Sequence, residues 1–184
     1  MIDGVTTTCI DVGNPCVFLA AAELGVDGKI SPDDIAADSK LLEKLDAIRR
    51  KAAVKMGLAT SEDNIPGSIP KIGMVSPGKL SQDGSLLESD ITVRALSVGQ
   101  PHKAVPITVA LALASAMQVP GSTAYAMRKS TSGQSPDSDG LTIAHPTGKL
   151  LVSSNFDDQA VTVTGASVFR TARLLMSGEV YVKL

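Results

Sequence analysis

The chain has 184 residues, of which 43% are hydrophobic, 20% charged and 3% aromatic, and its formal net charge is −2. This composition predicts one folded domain with a sizeable core and excludes a disordered chain, and the slightly acidic balance argues against nucleic-acid binding. No run of about 18 apolar residues predicts a membrane span, and the opening residues lack the pattern of a signal peptide. We therefore expect a soluble cytoplasmic protein. Cys9 and Cys16 lack the spacing of zinc ligands, so no metal site is predicted.

The first elements predicted are β segments around a tight turn. Residues 5–10 are rich in β-branched side chains and predict a strand. Asp11-Val12-Gly13-Asn14-Pro15 predicts a turn, because Gly and Asn tolerate positive φ and Pro fixes its own φ. Residues 16–24 are apolar, and their pattern fits either a strand or a short helix.

Two helices are predicted next. Ser31 followed by Pro32 is typical of a helix start. A longer helix is expected at about 39–56, where apolar residues recur every three or four positions, with Gly57 at its C-terminal cap. The basic residues of this helix, including Arg49 and Arg50, are interpreted as a solvated face.

The second half of the chain is predicted to surround one buried helix with short strands. Residues 105–118 are apolar on every side, so a helix there must be fully buried. Because strands and helices do not alternate regularly, the predicted class is α+β. The other expected elements are strands at 71–75, 91–98, 141–144, 149–153 and 160–164, a polar loop at 129–140, a helix at 166–177 and a strand at 179–183.

Two residues before the apolar helix are candidates for binding an anion. His102 and Lys103 precede residues 105–118, and the free N–H groups of a helix N-terminus favour a carboxylate or phosphate. The alternative is a loop histidine that bonds locally.

Three other residues allow a functional and a structural interpretation. Asn14 either presents its side-chain amide to a ligand or serves only as a turn residue. Cys16 is either a reactive thiol or a small core residue. His145 lies in a sequence typical of a hairpin turn. From the residues alone, the prediction stops at an α+β domain with an anion site.

Several segments together resemble one known family. Asp11–Phe18, with the sequence DVGNPCVF, resembles a segment of the 2-methylaconitate cis–trans isomerase (PrpF-like) family. The stretch Arg94–Ala104 is similar to that family's serine- and glycine-containing segment before a buried helix. Matches follow in family order from about residue 5 to residue 183. The other similar segments are Ala47–Leu58, Ile69–Ile72, His145–Gly148 and Val163–Ala166.

The resemblance implies a fold. The family belongs with diaminopimelate epimerase, whose two similar domains each wrap short strands around a central buried helix, with the active site between them. The match covers the C-terminal half of the family, so residues 1–184 are expected to be a single C-terminal domain without its N-terminal partner domain. The epimerase's cysteine at the start of its central helix has no counterpart within residues 104–108.

The resemblance also implies a function. The chain is expected to be the substrate-binding half of a cofactor-independent isomerase that interconverts unsaturated tricarboxylates, such as 2-methylaconitate or aconitate, by allylic proton transfer. The expected proton-transfer Lys and Cys lie in the absent half, so no catalytic residue is assigned here. The expected ligand is a small anionic polycarboxylate. The candidate substrate-binding residues are Gly13, Asn14, His102, Lys103, Pro146, Thr147, Gly148 and a predicted helix start at Gly165, Ala166 and Ser167.

Two alternatives remain open. In the first alternative, the substrate is another unsaturated acid, and the reaction is tautomerisation or double-bond migration in place of cis–trans isomerisation. Alternatively, the chain is a stand-alone ligand-binding domain without catalysis, and its exposed apolar wall would favour a homodimer.

Overall fold

Eight strands form one mixed sheet in the described part of the chain. A computed structural model describes residues 1–80, 88–128, 139–157, 159, 162–171, 173–179 and 181–182. The strands are β1 Thr7–Asp11, β2 Pro15–Ala20, β3 Lys71–Pro77, β4 Ile91–Ser97, β5 Gln100–Pro101, β6 Leu141–His145, β7 Gly148–Phe156 and β8 Val163–Val168. Their order is β1-β2-β3-β4-β6-β7-β8, with β5 beside β4. The pairs β2–β3 and β4–β6 are parallel and the others are antiparallel.

Helices pack on this sheet, which confirms the α+β class. They are α1 Pro32–Ala37, α2 Ser39–Lys55, α3 Ile107–Ala116 and α4 Thr123–Met127, with a short 3-10 helix at Ala21–Leu24. The open choice for residues 16–24 is thus resolved as a strand followed by a 3-10 turn. Side chains of α3 are buried from Val109 to Ala116 except for Leu111, but Ile107 in its first turn is 50% exposed, so the predicted full burial is wrong for the first turn.

The sheet has an apolar cluster on each face. Cys16 and Phe18 of β2 belong to the cluster that contains α3, whereas Val17 and Leu19 belong to the cluster that contains α2. Successive side chains of a strand point to opposite faces, so β2 is buried on both. The sheet therefore lies between α2 on one side and α3 on the other.

The predicted turn and helix ends are also present. Gly13 has φ 73° between β1 and β2, and Gly57 has φ 72° after α2. The Ser31 side chain accepts a hydrogen bond from the Asp34 N–H at the start of α1. These features are fixed by local chemistry, and the sequence was sufficient to predict them.

The helix predicted at 166–177 is wrong. Residues up to Val168 belong to β8, and the described residues from 169 to 179 form no helix. Leu174, Leu175 and Met176 are each 84–85% exposed, so the apolar side of such a helix would have no surface to pack on. The described residues of the predicted strand at 179–183 form none, and most of the predicted loop at 129–140 lies outside the described residues.

Arg49 also departs from expectation. It is buried, with 4% exposure, and its guanidinium bonds backbone carbonyl groups of the segment before β3. The solvated-face interpretation is therefore wrong for this residue. It fails because carbonyl groups buried beside a helix require donors, and Arg49 provides them.

The turn between β4 and β5 contains a strained residue. Val98 has φ 53° and Gly99 has φ 70°, and positive φ is unfavourable for a β-branched residue. Because Val98 is 65% exposed, little burial is lost on replacing it. We expect Val98→Asn to raise the free energy of unfolding by about 1 kcal/mol, since Asn tolerates this conformation. Urea unfolding measures this, with Val119→Asn as an exposed control; an unchanged or lower value for Val98→Asn would contradict it.

Candidate functional site

Several strands end together at one end of the sheet. Cys16 at the start of β2 pairs with Lys71 at the start of β3, and Leu96 near the end of β4 pairs with both Ile72 and Pro101. The residues that flank these strand ends are therefore close in space although they are far apart in the sequence. We call this region, defined by Asn14, Lys71, Ser97, His102 and the start of α3, the polar end of the sheet.

Lys71 is the cation at the polar end. Its Nζ donates to the Ser97 Oγ at 3.1 Å, and no carboxylate pairs with it among the described residues. Its charge acts on two neighbours: burial raises the pKa of Cys16 and Lys71 opposes that rise, whereas burial lowers the pKa of His102 and Lys71 adds to that fall. Lys71 is thus a side-chain cation available to an anionic ligand.

Cys16 is a neutral core residue. Burial raises the pKa of its thiol to about 12; Lys71 opposes that rise and Asp11 adds to it. The thiol donates to the Asn14 carbonyl oxygen at 3.3 Å. A thiol with such a high pKa is a poor nucleophile at neutral pH, so the structural interpretation of Cys16 is supported.

Two buried polar atoms at the polar end have no partner among the described residues. They are the Asn14 Oδ1 and the His102 Nε2. The backbone of His102 is fixed, since its N–H donates to the Ala95 carbonyl at 2.8 Å. Unpaired buried polar atoms are costly and uncommon in folded proteins, so each points to a bound ligand or water. Either orientation of the Asn14 amide would offer a polar atom to that ligand.

The start of α3 adds backbone donors. Its N-cap is Pro106, which provides no side-chain acceptor, and the first intrahelical bond runs from the Ala110 N–H to the Pro106 carbonyl. The N–H groups of the first turn therefore have no partner within the helix, and they lie at its positive end. This is the arrangement that the sequence predicts for an anion site.

The β6–β7 hairpin reaches the segment before α3. The Thr147 Oγ1 donates to the Lys103 carbonyl at 3.1 Å and lies 3.3 Å from the His145 Nδ1. His145 pairs with Gly148 across the hairpin, with Pro146 in the turn, which supports its interpretation as a turn residue. The structure thus places Lys103 together with Thr147 and its hairpin neighbours.

Gly165, Ala166 and Ser167 lie elsewhere. They are in β8 and pair with residues 153–155 of β7, so the predicted helix start there is wrong. Ser154 of that stretch lies 2.7 Å from the Ser115 hydroxyl, near the C-terminal end of α3. These residues are therefore beside the opposite end of α3 from His102. The sequence did not reveal that the strand continues through these residues, because burial along β8 does not alternate regularly.

Lys71 and Ser97 are the site residues that sequence reasoning missed. Lys71 lies inside the Ile69–Ile72 segment, but that segment by itself assigns it no role. Only the register of β3 against β4 brings Lys71 beside Ser97.

The histidines make stability depend on pH. The pKa of His102 is lowered below 6.5 mainly by burial, and the charge of Lys71 lowers it further. Burial also lowers the pKa of His145, although a hydrogen bond with the Lys103 backbone opposes this shift. The unfolded chain therefore binds protons more readily, so the free energy of unfolding should fall as the pH drops below about 6.5. A carboxylate bound at His102 favours the imidazolium and should stabilise the chain more at pH 6 than at pH 8.

Thermal unfolding with and without a tricarboxylate measures both effects. We expect His145→Gln to keep the pH dependence of ligand stabilisation and His102→Gln to lose it. An equal ligand-induced change in Tm at both pH values in the unmodified chain would contradict the prediction.

Metal and membrane features are absent from the described part of the chain. No group of three His, Cys, Asp or Glu side chains there is arranged to hold a metal ion. Among the same residues, no helix combines the length and apolar character needed to cross a bilayer.

Comparison with known proteins gives a consistent result. Residues 2–183 match the family described as PrpF protein. A (4E)-oxalomesaconate Delta-isomerase of Novosphingobium sp. is 33% identical over 99% of this chain and 47% of its own length. A 2-methyl-aconitate isomerase of Shewanella oneidensis is 33% identical over 95% of this chain and 45% of its own. The crystal structure of a methylitaconate-delta-isomerase superposes with a TM-score of 0.71 at 25% identity, over 89% of this chain and 45% of that one. The chain therefore spans about half the length of these relatives.

Proposed function

The chain belongs to the PrpF family, and on that premise we propose that it provides the substrate-binding part of a cofactor-independent isomerase of unsaturated polycarboxylates. The relatives are named as isomerases of methylaconitate, oxalomesaconate and methylitaconate, all unsaturated acids. The proposed substrate is 2-methylaconitate, which one relative's name contains, or the related tricarboxylate aconitate. In the same proposal, the chain is a C-terminal, diaminopimelate epimerase-like domain with α3 as its central helix.

One observation carries the proposal. Lys71, the unpaired polar atoms of Asn14 and His102, and the start of α3 all lie at the end of the sheet where β2 and β3 begin and β4 ends. A ligand with several carboxylates would satisfy these groups, because each offers positive charge or an unused hydrogen-bonding atom. Gly13 and the exposed Lys103 complete the proposed contacts, with Pro146, Thr147 and Gly148 of the hairpin beside them.

The proposed chemistry follows from the same charges. Removal of an allylic proton leaves a dienolate whose negative charge spreads onto a substrate carboxylate; return of a proton after rotation or migration of the double bond gives the isomer. Groups positioned at that carboxylate stabilise the charge as it develops. Lys71, His102 and the α3 N–H groups would take this role. The proton-transferring Lys and Cys are proposed to lie in a partner domain.

Calorimetric titration of the chain with trans-aconitate tests the proposal. We expect binding that weakens as salt is added, with little or no binding of the monocarboxylate crotonate. Equal affinity for both acids would contradict it. A panel of unsaturated acids, followed by proton exchange in D2O with the partner domain present, separates cis–trans isomerisation from tautomerisation.

A second candidate is a binding chain that forms a homodimer, and the exposed apolar residues after β8 favour it. Leu174, Leu175, Met176, Tyr181 and Val182 are 78–93% exposed, which is unusual for large apolar side chains. We propose that a second copy of the chain packs against this segment, since two copies together approach the length of the relatives.

We expect the chain to sediment as a dimer, and the double variant Leu174→Glu, Leu175→Glu to sediment as a monomer. The matched control places the same charges on exposed polar positions, Thr171→Glu and Ser177→Glu, and should remain dimeric. A monomeric unmodified chain at high concentration would contradict this candidate.

A further inference from the structure

A buried arginine lies behind the polar end of the sheet. Arg49 of α2 is 4% exposed, and its NH1 donates to the carbonyl oxygens of Pro66 at 3.0 Å and Ile69 at 2.9 Å. Its Nε donates to the Asp46 Oδ1 at 2.8 Å, and its NH2 lies 2.7 Å from the same oxygen. Burial would raise the pKa of Asp46, but hydrogen bonds from Arg50 and Arg49 lower it, so the carboxylate stays charged.

The carbonyl groups that Arg49 binds belong to the segment that leads into Lys71. Residues 65–70 form no helix or strand, and the hydrogen bond within the segment is a long one, from the Ile69 N–H to the Pro66 carbonyl at 3.3 Å, so its backbone groups depend largely on partners from outside. Arg49 provides two of these partners, and the Val98 N–H donates to the Gly67 carbonyl at 2.9 Å on the other side. Lys71 follows this segment directly, and its Nζ reaches the Ser97 Oγ.

We propose that Arg49 is a positioning residue, which holds residues 65–70 so that the Lys71 ammonium group lies at the polar end of the sheet. Arginine suits this task because its planar fork donates to several acceptors in one fixed geometry, which a lysine cannot do. The importance of that position for substrate rests on the proposed function, whereas the positioning itself does not.

A neighbouring arginine provides the matched control. Arg50 also bonds Asp46, at 2.6 Å, but its NH1 donates to the Glu62 carbonyl rather than to Pro66 or Ile69. Arg50→Met therefore removes an arginine of α2 and a bond to Asp46 without touching the segment before Lys71.

The pKa of His102, measured by NMR titration of the full chain, reports where Lys71 lies. Lys71 lowers that pKa, so Lys71→Met should raise it and define the full effect. The chain has two histidines, and His145→Gln assigns the signals. We expect Arg49→Met, and the milder Arg49→Lys, to raise the pKa of His102 by at least half of the increase that Lys71→Met gives. Arg50→Met should leave it unchanged.

Two outcomes would overturn the proposal. If Arg49→Met and Arg49→Lys lower stability but leave the pKa of His102 unchanged, Arg49 only supports the fold. If Arg50→Met raises that pKa as much as Arg49→Met does, the effect is not specific to the segment before Lys71. Arg49→Lys keeps the test available if the methionine variant fails to fold.

Titration with trans-aconitate separates this proposal from the proposed function. We expect Arg49→Lys to weaken binding about three- to tenfold and Arg50→Met to leave it unchanged. If the pKa of His102 responds as expected while no variant, Lys71→Met included, changes the affinity, the positioning role stands and the proposed function fails.

Discussion

Replacing Lys71 by methionine should weaken trans-aconitate binding by roughly ten- to hundredfold. Methionine keeps most of the length and apolar volume of the lysine side chain but removes its charge. A charge-assisted hydrogen bond is worth about 1.5–3 kcal/mol, and no carboxylate among the described residues competes for this ammonium group. Calorimetric titration at low salt measures the change.

Lys149→Met is the control for this prediction. Lys149 is half-exposed and lies 3.7 Å from the Glu88 carboxylate, so, unlike Lys71, it already has a carboxylate partner among the described residues. Both variants lose one positive charge, so they affect long-range attraction of the ligand equally. If the two variants weaken binding by the same factor, Lys71 makes no specific contact with the carboxylates.

Replacing Phe18 by alanine should lower the free energy of unfolding by about 3–5 kcal/mol. Phe18 is fully buried in β2 among the residues that pack against α3. Gly73 lies beside its ring on β3, where an added Cβ would come within 3.1 Å of a ring carbon. The surrounding backbone is held by β pairing on both sides of β2, so we expect the cavity to close only partly. Urea unfolding monitored by far-UV circular dichroism measures the loss.

Phe169→Ala removes the same atoms from a partly exposed position. Phe169 is 41% exposed, just after β8, so its replacement should lower the free energy of unfolding by less than about 1 kcal/mol. A comparable loss from both variants would show that the cluster around Phe18 is not the main core on this face of the sheet.

Local patterns predicted much of this fold. The turn at Gly13, the cap at Ser31 and the buried helix α3 depend on residues close together in the chain, and all three are present. The anion site predicted before α3 also depends on neighbours in sequence, His102 and the helix start, and it stays a prediction.

Features that depend on distant residues were not predictable in this way. Lys71 reaches Ser97 through the register of two strands, and Arg49 is buried because carbonyl groups 17 and 20 residues away need its donors. The apolar spacing at 166–177 is typical of a helix, but a helix also needs a surface to pack on. Among the described residues Leu174 and Leu175 contact no such surface, and the spacing alone was misleading.

Strand β2 joins the two apolar clusters of the molecule. Cys16 and Phe18 pack on one face, and Val17 and Leu19 pack on the other, all within one short strand. Loss of either cluster removes half of the packing that holds this strand, so the remaining cluster would be exposed at its centre. The two clusters should therefore melt in a single cooperative transition, and the slowest-exchanging amide protons of the chain should be those of β2 and the strand β3 paired with it.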